Sequence, residues 1–113
     1  MLRDLLRLGD DFFAQMTVNF LREGPRRIER LRRFLGMGDL DNLATTAHGL
    51  ASIASTVAAV RLAELCYRLE KLARKRAAAE CPGALRRVEE GFDLAARELL
   101  DNAASAGDNR GGS

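Results

Sequence analysis

One side chain in this 113-residue chain is an imidazole, that of His48. An imidazole can serve as a general base, a metal ligand or a nucleophile. The first two roles need company, such as a carboxylate, a cysteine or a second histidine. Close to His48 along the chain, Ala44-Thr45-Thr46-Ala47-His48-Gly49-Leu50-Ala51-Ser52 supplies none of these. Read as a helix at about 100° per residue, Leu40, Leu43, Ala44, Ala47, Leu50, Ala51 and Ala54 share one apolar face. His48 falls at the edge of that stripe. Its neighbours three and four residues away are Ala44, Thr45, Ala51 and Ser52, all too small to overhang the ring. What remains is a reachable nucleophile on a rigid helix.

The rest of the chain must position that ring. Met1 to Leu8 reads as a short leading helix ended by Gly9, with Asp10-Asp11 starting the next. Phe13, Met16, Phe20, Leu21, Ile28, Leu31, Phe34 and Leu35 then stay within an arc of about 140°. Their phase is kept through Gly24-Pro25, which predicts one long helix kinked at the proline rather than two helices. Gly36-Met37-Gly38 closes it, and Asp39 caps the histidine helix, with Asp41 in its first turn. That helix is expected to break near Ser55-Thr56-Val57. A further helix follows from Ala58 to about Ala79, burying Leu62, Leu65, Cys66, Leu69 and Ala73. A last one runs from about Pro82 to Asn102, with Leu85, Val88, Phe92, Ala95, Ala96 and Leu99 inward. Ser105 to Ser113, rich in glycine, has no apolar pattern. The expected architecture is all-α: an antiparallel up-and-down four-helix bundle with a short extra N-terminal helix. Residues 1–103 form the bundle and 104–113 a disordered tail.

The segment Ala47-His48-Gly49-Leu50-Ala51-Ser52, followed by Arg61-Leu62-Ala63-Glu64-Leu65-Cys66 and Leu69-Glu70, resembles a histidine-containing phosphotransfer (HPt) domain. Phe20-Leu21 with Pro25, and Gly38-Asp39 before the histidine helix, fit the same pattern. The likeness extends from Leu5 to about Leu100. It departs at two positions: the family's lysine is Ala51 here, and its glycine is Ser52. The resemblance implies a phosphoryl carrier of a two-component phosphorelay. His48 would accept a phosphoryl group, on Nε2, and exchange it with an aspartate of a response-regulator receiver domain. It also implies a hybrid sensor histidine kinase as a partner, or as the polypeptide from which this domain comes. The short leading helix and glycine-rich tail resemble that second case.

On this reading Thr45, Gly49, Ser52, Ala51 and Ile53 form the surface that meets the partner. The small residues let its active site close over the ring, and Ile53 offers an apolar contact or packs half-buried against the bundle. A lysine at Ala51 would place a cation near the phosphoryl group, so Ala51→Lys is expected to lengthen the phosphohistidine lifetime or speed transfer. The two departures also motivate an alternative, a degenerate HPt-like adaptor that binds a signalling partner without carrying phosphate.

Other classes fit less well. The chain has no Gly-rich phosphate loop and no acidic cluster suited to Mg²⁺, so no cofactor or metal is expected on it. The Mg²⁺ that phosphoryl transfer uses would come from the receiver. Kinase activity would lie in another domain or protein. No apolar run reaches the ~18–20 residues of a membrane span, and the expected setting is the cytoplasm, with any parent protein membrane-attached. The net charge of +2 gives no ground for nucleic-acid binding, and no recognition motif is present. Arginines crowd Arg22 to Arg33, and further basic residues gather at Lys71 to Arg76 and at Arg86-Arg87. They read as a solvated helix surface, or as a field steering an acidic partner. Cys66 and Cys81 lack metal or redox spacing and read as reduced thiols, with Cys66 in the core.

Overall fold

A computed structural model describes the backbone of residues 2–112 and the side chains of residues 12–102. Four helices make up the chain: α1 (Leu2–Met37), α2 (Leu40–Thr56), α3 (Val60–Arg74) and α4 (Cys81–Gly112), with a 3-10 turn at Ala78–Glu80 before α4. No strand occurs among the described residues. Contacts join α1 to α2, α2 to α3, α3 to α4 and α4 back to α1, so the helices enclose one core. Phe20, Leu31, Leu43, Leu50, Leu69 and Val88 are fully enclosed in it.

α1 is a single helix of 36 residues with Pro25 inside it. At about 1.5 Å per residue it is about 54 Å long, which accounts for the 53 Å long axis of the molecule. The separate leading helix expected at Met1–Leu8 is therefore not a separate element. Gly9 lowers helix propensity by about 1 kcal/mol but does not forbid helical backbone, and no proline interrupts the run to Pro25. Gly24 has a packing role. A Cβ there would overlap the ring of Phe92 on α4, and that ring stacks obliquely on Phe20 with centroids 5.0 Å apart. The glycine before the proline thus lets α4 approach α1. Phe13, expected in the core, is 48% exposed; it borders a groove formed with Val57–Leu62 and α4 residues.

Three helices end in the same way. Gly38, Ala58 and Arg76 have positive φ (72°, 57° and 62°). In each case paired backbone bonds of the Schellman type close the turn: Asp39 N to Phe34 O, Ala59 N to Ala54 O and Ala77 N to Leu72 O. This stop shortens α3, expected to reach Ala79, to Arg74. Helix propensity pointed past that stop because Lys75 to Ala79 contains no glycine or proline. At the other end of the chain the helical backbone of α4 runs through Gly112, past Asn102, the expected end of the last helix. The side chains of that stretch, and all of Ser113, lie outside the described residues.

Asp39 caps α2 by accepting from Asn42 N at 3.2 Å. Its second oxygen takes Asn42 Nδ2 at 2.6 Å. The side-chain bond first, then the backbone one, hold its carboxyl below the usual range. Both cysteines are free and buried. Burial pushes the Cys66 thiol up to about 12, so it packs as a small apolar residue.

Candidate functional site

His48 lies on the outer edge of α2, midway along the helix, with its side chain 56% exposed. The face of α2 that adjoins His48 is lined by Ala44, Ala47 and Ala51, all enclosed. Such small residues let a neighbouring helix approach closely, and α2 packs against α3. That approach brings Glu70 of α3 to the imidazole: His48 Nδ1 is 3.0 Å from Glu70 Oε1. Glu70 is mostly shielded, its side chain 15% exposed. Its other oxygen is taken by Arg74, one turn on, with Nε at 2.9 Å and Nη2 at 2.8 Å. Tyr67, one turn before Glu70, meets the imidazole edge-on with ring centroids 5.9 Å apart.

Desolvation pushes the Glu70 carboxyl up, but the hydrogen bonds and charges of His48 and Arg74 outweigh it and leave the group below its ordinary value. Glu70 is thus an ionised carboxylate, which can only accept hydrogen bonds. The proton in the 3.0 Å contact therefore belongs to His48 Nδ1. In the neutral ring this assigns the lone pair to Nε2. A tethered Nδ1–H and a free Nε2 on an exposed ring suit nucleophilic attack by Nε2.

The other residues expected at this surface fall into three groups. Thr45 and Ser52 are exposed, but their hydroxyls turn back to donate to Asp41 O at 3.1 Å and to His48 O at 3.2 Å. Gly49 is half-buried because Arg27 of α1 lies across it; a Cβ at Gly49 would be 2.5 Å from Arg27 Nη1. Ile53 is half-buried against the core. Ala51 is the correction. It is fully enclosed, because at three residues from His48 it turns about 60° back into the apolar face. It belongs to the core and not to a docking surface, and a lysine there would start from the interior.

Sequence spacing missed Glu70, Arg74, Tyr67 and Arg27. Glu70 stood in the motif that carries the family resemblance, but nothing in its spacing tied it to His48. Part of that basic surface is paired within the chain. Arg22 and Arg26 both lie 3.7 Å from Glu23, and Arg32 bonds Glu89 across α1 and α4 at 2.9 Å. Among the described residues, no three His, Cys, Asp or Glu side chains gather to hold a metal ion. No described helix is long and apolar enough to cross a membrane.

The family model of the Hpt domain matches residues 15–106. Among solved structures, the chain is similar to histidine-containing phosphotransfer protein B (HptB) from Pseudomonas aeruginosa PAO1. The two are 26% identical, the match covers 89% of this chain and 88% of that one, and the TM-score is 0.80. No curated protein matches the chain significantly.

Proposed function

We propose that this chain, which belongs to the Hpt domain family, carries a phosphoryl group on His48 Nε2 between aspartates of receiver domains. The observation that supports this most is the exposed ring with Nδ1 tied to Glu70 at 3.0 Å. In the forward step the Nε2 lone pair attacks the phosphorus of a receiver's aspartyl phosphate. The N–P bond forms as the acyl P–O bond breaks, and that electron pair leaves with the aspartate carboxylate. The Nδ1 proton stays on the ring, where the carboxylate of Glu70 offsets the positive charge the ring gains. The reverse step returns the group to an aspartate. The receiver brings Mg²⁺ for the phosphoryl oxygens. The first donor would be a hybrid sensor histidine kinase, in this polypeptide or another, and the exchange would take place in the cytoplasm.

The helices read as an antiparallel up-and-down bundle, which the short links at 38–39 and 57–59 favour. His48 then stands on the side of the bundle, open to a partner. The exposed Thr45 and Ser52, with Gly49 and the half-buried Ile53, would form the rest of that contact surface.

The test is incubation with a phosphorylated receiver domain and Mg²⁺. An acid-labile, base-stable label is expected on the parent chain and none on His48→Gln. An adaptor that carries no phosphate would give no label on either chain, and its output would survive His48→Gln.

A further inference from the structure

Arg27 is set apart from the other basic residues by where it is seated. It reaches from α1 across to α2 and rests on the backbone of Gly49, the residue next to His48. Any side chain at Gly49 would displace it, since a Cβ would come within 2.5 Å of Nη1. Its Nε is buried and has no hydrogen-bond partner. Among the described residues no carboxylate lies within ion-pair distance of its guanidinium, whereas Arg74 is taken by Glu70 and Arg76 by Asp41. The guanidinium is therefore placed by packing and not by an acid of its own chain. A half-buried guanidinium with a buried, unused donor is a ready acceptor site for an anion.

The nearest place for an anion to arise is His48. Consecutive Cα atoms are about 3.8 Å apart, so Gly49, on which the guanidinium rests, is one residue step from the root of the imidazole. Phosphorylation would add negatively charged oxygens to the exposed end of that ring. A guanidinium presents several N–H donors in a planar fork that matches such oxygens. Position 51, an alanine, supplies no cation here, and Arg74 is committed to Glu70.

We propose that Arg27, seated on Gly49, binds the phosphoryl oxygens of phosphorylated His48. Gly49 is then needed as a glycine for the room it leaves the guanidinium. This rests on His48 being the phosphorylated residue, but its test does not need the partner. The full chain can be phosphorylated on histidine with phosphoramidate, and the phosphohistidine followed by ³¹P NMR across pH and over time. In Arg27→Gln the phosphoryl group should hold its last proton to higher pH than in the parent. Its hydrolysis should be about three- to fivefold faster, the size of one part-exposed charge contact. Gly49→Ala keeps the charge but displaces it, and should shift both readouts the same way. Arg27→Lys, which keeps a cation, should recover most of the parent behaviour. The proposal is overturned if Arg27→Gln and Gly49→Ala match the parent in both readouts. It is equally overturned if Arg27→Lys is as poor as Arg27→Gln, since packing and not charge would then be responsible. If phosphoramidate labels His48 but a phosphorylated receiver does not, the relay reading fails while the Arg27 contact can still be read. If phosphoramidate leaves His48 unlabelled, the contact is ruled out with it.

Discussion

At the residue scale the proposed site is a histidine whose two nitrogens have different surroundings. Glu70 makes the difference, and Arg74 holds Glu70 in place from its other oxygen. Glu70→Gln keeps the size of the side chain and an acceptor oxygen but removes the charge that supports the ring as it becomes cationic. Phosphoryl transfer is expected to slow about tenfold, equivalent to about 1.4 kcal/mol, with helix content unchanged by circular dichroism. The same substitution has a pH signature. Glu70 sits below its ordinary value in the folded chain, so folding favours the ionised form. As pH falls, the unfolded chain takes up the proton first, and stability falls with it. The contribution of Glu70 is therefore complete above the ordinary carboxylate range and is lost as pH drops through its lowered value. Urea midpoints measured down the acid limb should fall less steeply for Glu70→Gln than for the parent. The exposure of His48 was legible in the sequence because its near neighbours on the helix are small. Glu70 was not legible from spacing, because it stands 22 residues away and meets His48 only when α2 and α3 pack. Ala51 was misplaced for a different reason. The helical period already set it on the apolar face with Leu50 and Ala54, but the motif position drew it into the docking surface.

At the scale of elements, the amphipathic periods located all four helices, while their ends depended on features that periodicity does not contain. The single α1 was readable because its apolar phase runs unbroken through Gly24-Pro25. What Gly24 does was not, since its partner Phe92 lies on α4. The stops after α2 and α3 use Ala58 and Arg76 in left-handed backbone, a conformation that composition assigns to glycine. Ala58 is exposed, so its positive φ has no packing justification of its own. The left-handed conformation costs an L-residue about 1–2 kcal/mol, and glycine gives back part of the gain through its freer unfolded chain. Ala58→Gly is expected to stabilise the fold by about 0.5–1 kcal/mol, seen as a higher urea midpoint with an unchanged slope. Arg76 is a poorer place for the same change, because it also bonds Asp41 at 2.9 Å and ties the end of α3 to the start of α2.

For the whole molecule, the fold serves as a rigid stand for one ring. The small-residue face of α2 draws α3 in, α3 delivers Glu70, and α1 lays Arg27 on Gly49, the residue next to His48. The all-helical class and the single core were legible in apolar periodicity, and the phosphotransfer reading in the resemblance around His48. The meeting of Glu70 with His48 and of Arg27 with Gly49 was not, because both exist only in the packed bundle. Everything in this account depends on which nitrogen of His48 is nucleophilic. The direct measurement is ³¹P and ¹⁵N NMR of the full chain after labelling by a phosphorylated receiver domain with Mg²⁺. A single phosphohistidine bonded through Nε2, with Nδ1 still protonated toward Glu70, is the expected result. A phosphoryl group on Nδ1, on a residue other than His48, or on no residue at all would contradict it.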